Sequence, residues 1–166
     1  ATKAALGPAF PFALNAAGQD FKSLVQQRSG GTRPLFDQGF LYWNGVAGDF
    51  LFGLGVGDGT LPRHPGVAVQ NSDVVYQFDA NSALTAPEQG FNASVQRATA
   101  DPQGRHANGI SNVPPTTGDL KLPMLTLHTL GDLFVPFLME QVYAERVAAH
   151  AGLPADAQLD FLLSHF

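Results

Sequence analysis

The sequence predicts an α/β fold, with a parallel βαβ unit over residues 119–166 preceded by a mainly helical region over residues 1–118. Three observations carry that expectation. Leu122 to Thr129 (LPMLTLHT) is an apolar run bounded by Pro and Gly, the pattern of a strand covered on both faces. Met139, Tyr143 and Val147 recur at i, i+4 and i+8 behind Pro136, the pattern of an amphipathic helix that ends near Ala151-Gly152. Gln158 to Leu163 is a second short apolar run, and the order strand, helix, strand calls for a right-handed crossover.

The region before it divides at its glycines and prolines. Thr2 to Gly18 and Asp20 to Arg28 read as two short helices, the second with Asp20 as N-cap and Phe21, Leu24 and Val25 on one face. Phe36, Phe40 and Trp43 follow at i, i+4 and i+7, a helical spacing, within a cluster that also holds Tyr42, Phe50 and Phe52. Large aromatics so placed serve as core packing or as the wall of a ligand site, and the spacing is the same for both. Residues 53 to 72 form a Gly/Pro-rich connection, and Val74 to Phe78 is a short strand candidate. Thr85-Ala86-Pro87-Glu88 has the composition of a capping box, which opens a helix running to about Ala100. Asp101-Pro102 closes that helix, and residues 102 to 120 form a loop longer than compact domains usually keep.

Composition narrows the function classes. The 166 residues suit one domain, yet only 14% are charged where about 25% is typical, so much of the surface is expected to be apolar, Gly/Pro-rich or covered by something else. There is no Cys, which excludes disulfides, thiolate metal sites and cysteine nucleophiles. A net charge of −5 without a Lys/Arg cluster excludes nucleic acid and anionic membrane as expected partners. Gly and Asp interrupt every apolar stretch, so no membrane span is expected. His64, His106 and His150 lack metal-ligand spacing, and Gly53 to Gly59 lacks both G-x-G-x-x-G spacing and a Lys-Ser/Thr pair, so neither a metal nor a cofactor is expected. Asn92-Ala93-Ser94 is a glycosylation sequon inside a predicted helix.

The stretch Pro123 to Val147, PMLTLHTLGDLFVPFLMEQVYAERV, combines an apolar strand, a Gly-Asp turn, a Val-Pro step and a helix. It resembles the segment around the triad acid in the α/β-hydrolase superfamily of serine esterases, lipases and peptidases. The resemblance covers the last 46 residues, leaves residues 1–118 as a cap or lid, and implies Asp132 as the acid that orients a catalytic His. Read without it, Gly131-Asp132 is a turn pair that caps the helix beginning at Pro136. The family's base follows the next strand, where Ser164-His165-Phe166 offers His165, either as base or as a surface histidine. None of Ser23, Ser29, Ser72, Ser82, Ser94, Ser111 or Ser164 has Gly at both −2 and +2, so no nucleophile elbow is present. The resemblance therefore places the nucleophile on a preceding segment or a separate N-terminal polypeptide, with Asp132 and His165 on this chain. It implies cleavage of a small apolar carboxylic ester through an acyl-enzyme, with Phe36, Phe40, Tyr42 and Trp43 walling the substrate pocket. Bacterial secretion is compatible with the family, while the residues leave the compartment open. The alternative is a non-catalytic binding or assembly subunit that holds an apolar ligand or partner.

Overall fold

The computed structural model describes residues 3–47, 51, 70–100, 116–122 and 124–154. Among them the secondary structure is helical: α1 (Ala16–Arg28), α2 (Phe36–Leu41), α3 (Ala86–Ser94) and α4 (Leu138–His150), with a short 3₁₀ turn at Lys3–Ala5. The one β-bridge, Ala9 to Ala13, belongs to a tight turn, and no sheet forms among the described residues.

This overturns the predicted α/β class and, with it, the resemblance to α/β hydrolases. The described part of Leu122 to Thr129 has no neighbouring strand, and Leu122 and Leu127 stay 77% and 82% exposed. A strand exists only through its ladder partners, whereas an apolar run reads the same in sequence whether or not a partner meets it. The second expected strand, residues 158–163, lies outside the described residues. The helix between them does form, and Gly152 ends it at φ +68°. Its buried face is Ala144, Val147 and Ala148, while Met139 of the expected stripe remains exposed.

One helix, α1, stands where two were expected: Asn15, not Asp20, caps it, the Asn15 side chain accepting from the Gly18 N–H at 2.9 Å, so it begins at Ala16, Asp20 falls inside it, and only the short turn at Lys3–Ala5 precedes it. Gly30 and Gly31, at φ +124° and +78°, turn the chain toward α2. In α2 the i, i+4 pair Phe36 and Phe40 is fully buried and, with Leu133, forms the core, against which Phe10, Phe21, Val25 and Trp43 pack. Helix α2 then widens into one π-helical turn, Tyr42–Val46, where Asn44 donates to the Phe40 carbonyl at 2.9 Å.

Residues 70 to 98 form a second, polar-stitched unit around α3. Val74 to Phe78 does not form the expected strand; two of its N–H groups go to side chains of α3. Tyr76 N donates to Asn92 Oδ1 at 2.9 Å and Phe78 N to Glu88 Oε1 at 2.6 Å. Glu88 also accepts from the Thr85 N–H and hydroxyl at 2.7 and 2.6 Å, the carboxylate half of the capping box. These bonds, that from the Thr85 side chain foremost, hold the Glu88 carboxyl below its ordinary value. The helix stops at Ser94, short of Ala100, where Val95 turns extended. Asn92 Nδ2 is committed to the Tyr76 and Glu88 carbonyls at 2.7 and 2.8 Å, so a glycan at the sequon, which replaces one of the two Nδ2 hydrogens, would break at least one of these bonds.

Candidate functional site

The candidate site is a groove of about 370 Å³ between α2 and the turn at residues 129–132. Its α2 wall holds Leu35, Gln38, Gly39, Tyr42 and Trp43, and its turn wall holds Thr129, Gly131 and Asp132. The two walls meet backbone to backbone: a Cβ on Gly39 would lie 2.0 Å from the Gly131 carbonyl oxygen, so glycine at position 39 is what lets the turn reach the helix. Arg33 fixes the turn from below. Its Nε donates to the Leu130 carbonyl at 2.6 Å and its Nη2 to Ser29 Oγ at 3.0 Å, with the guanidinium 5.1 Å from the centre of the Phe36 ring. The Leu138 N–H, donating to the Ser29 carbonyl at 3.1 Å, ties the start of α4 to the same loop.

Leu35 enters α2 at φ +65°, a left-handed conformation costly for a side chain with a Cβ, and it sits on the rim of the groove. Tyr42 meets Trp43 edge-on at 5.4 Å, and Trp43 in turn stacks on Phe134, outside the groove lining, at 6.2 Å and 26°. Tyr42 is 51% exposed, so the groove presents aromatic surface to solvent.

Asp132 holds the turn but does not cap the following helix, whose N-cap is Phe137 with no side-chain bond. Its N–H donates to the Thr129 carbonyl at 3.0 Å, and its Oδ1 accepts from the N–H groups of Phe134 and Val135 at 2.7 and 3.3 Å. Among the described residues no histidine contacts it. His128 packs on Phe137 with its Nδ1 3.0 Å from the Thr129 carbonyl, His150 pairs with Asp119 at 3.1 Å, and His165 lies outside the described residues.

The structure thus brings together three of the sequence-predicted site residues, Tyr42, Trp43 and Asp132, and assigns Phe36 and Phe40 to the core instead. The i, i+4 spacing is what buries that pair, while Trp43, one turn further on, reaches the groove. Gln38 and Thr129 were not legible as site residues, since nothing local marks either polar side chain as facing a distant segment. A second cavity of about 400 Å³ lies between Phe21 and Leu24 of α1 and Phe78 and Phe91, but Asp20 is its one polar lining side chain. The first groove joins several polar groups to its aromatic walls, the combination small-molecule sites use.

No group of three metal-ligating side chains occurs among the described residues. No helix among them is long and apolar enough to cross a membrane. No protein-family model, no curated protein and no solved structure matches the chain.

Proposed function

We propose that the protein binds a small apolar ligand in the groove between α2 and the 129–132 turn. The observation that carries this reading is the aromatic pair Tyr42 and Trp43 placed beside Gln38, Thr129 and Asp132, which supply apolar contact area together with a few orienting polar groups. Trp43 is the chain's one tryptophan, so its emission reports on the groove without labelling. Titration with 4-phenyl-1-butanol should give a saturable change in Trp43 emission, and Tyr42→Ala should weaken binding about tenfold, because a large aromatic contact is lost. Unaltered affinity in Tyr42→Ala, or no saturable change in the wild type, would contradict the reading.

Acyl transfer is the second reading, favoured by the presence of Asp132 in the same groove as Tyr42 and Trp43. Serine hydrolase triads occur on unrelated folds, so this reading needs no particular fold, but it does need a base held by Asp132 and a nucleophile. A fluorophosphonate adduct on this chain or on a co-purifying polypeptide, together with loss of ester hydrolysis in Asp132→Asn, would support it. Absence of any adduct would reject it.

A further inference from the structure

We propose that the ligand of this groove is a small organic cation, an amine or quaternary ammonium carried on an aryl or alkyl body. The proposal rests on the groove being a ligand site and names the chemistry it selects. Asp132 is the one charged side chain among the groove's described lining residues, and Tyr42 and Trp43 line the facing wall. A carboxylate set against aromatic side chains is the arrangement that holds a desolvated cation: the carboxylate supplies the counter-charge and the ring faces attract the ammonium through their quadrupoles.

The hydrogen bonding of Asp132 leaves it able to do this. Oδ1 holds both N–H groups of the turn, and among the described residues no hydrogen bond reaches Oδ2. The carboxylate is therefore positioned through one oxygen and offers the other. The two cations that touch α2 are committed elsewhere. Lys22 pairs with Asp37 at 2.8 Å, and Arg33 is held by the Leu130 and Gly31 carbonyls and by Ser29. A ligand carboxylate would instead face the like charge of Asp132.

The test is a set of Trp43 fluorescence titrations of the full chain at low salt with three probes of one shape: 4-phenylbutylammonium, 4-phenyl-1-butanol and 4-phenylbutyrate. The ammonium should bind about tenfold more tightly than the alcohol, and the butyrate most weakly. Asp132→Asn retains an oxygen to accept the turn N–H groups, and should reduce the ammonium-to-alcohol preference to about twofold. Equal or tighter binding of the alcohol by the wild type would overturn the cation assignment and leave the groove standing as an apolar site. So would a preference that survives Asp132→Asn. Binding of none of the three would overturn the groove reading itself. The wild-type comparison decides the matter even if the variant fails to fold.

Discussion

Between Asn71 and Ala98 the chain is tied by polar side chains to its own backbone, whereas around α2 it is held by rings packed on rings. In the first region Asn71 spans to Gln96 and Ala98, Arg97 reaches back to Asn71 and Val74, and Glu88 and Asn92 take the N–H groups of Phe78 and Tyr76. In the second, Phe10, Phe21, Phe36 and Phe40 meet at centroid distances of 5.9 to 6.1 Å, and the hydrogen bond from Arg33 to Leu130 closes a separation of 97 residues. Polar tethers over short separations specify a geometry nearly by themselves. Aromatic burial is non-directional, and it depends on which distant segment arrives. The groove lies in the second kind of region, so its shape rests on long-range contacts.

Three substitutions sharpen that contrast. The largest effect is expected at Gly39, where alanine would drive a methyl group into the Gly131 carbonyl. Gly39→Ala should cost about 3 kcal/mol, the upper range for overpacking, and abolish the response of Trp43 to 4-phenyl-1-butanol. Chemical denaturation and titration of the same sample check both, and unchanged stability would mean that α2 and the turn are not in contact.

Glu88→Gln comes next, in the polar unit. Because the Glu88 carboxyl is held below its ordinary value of 4.5, the unfolded chain binds more protons in that range. Its contribution is therefore fully present above pH 4.5 and is lost as pH falls through the depressed folded value. Glu88→Gln should lower Tm at pH 7 by about 5–10 °C, with the gap to wild type closing in acid. A gap independent of pH between 2 and 7 would show that the carboxylate's charge is not what holds Phe78 and Thr85.

The smallest effect is expected where α4 meets the segment before residue 122. Lys121 and, second, His150 hold the Asp119 carboxyl below its usual range, but all three are solvent-accessible. His150→Ala should move Tm by about 1 °C or less, as exposed ion pairs do, and scanning calorimetry would register a larger shift as evidence of a buried network.

The same contrast explains what could be read from the chain in advance. The α3 start was legible because Thr85 and Glu88 lie three residues apart and the chemistry of a cap is local. So was α4, from its proline start and Ala151-Gly152 end. The parallel sheet was not, because Leu122 to Thr129 carries the composition of a buried strand while the identity of its neighbour is written nowhere in those residues. At the site, Tyr42, Trp43 and Asp132 stood out by residue type. That Asp132 holds the N–H groups of Phe134 and Val135 is a contact that its residue type alone does not reveal. Phe36 and Phe40 share their spacing with Trp43, and only the arrival of Leu133 and Phe10 separates core from wall.

The proposed ligand groove joins α2 to the Gly131-Asp132 turn and is distinct from the cavity beside Phe78 and Phe91. Amide and indole shift mapping of the isotope-labelled chain during titration with 4-phenyl-1-butanol tests it most directly. One saturable set of changes is expected at Gly39, Tyr42, the Trp43 indole N–H, Gly131 and Asp132, with the amides of residues 76 to 92 unmoved. Changes centred on Phe21, Phe78 and Phe91 instead, or a diffuse pattern that does not saturate, would contradict it.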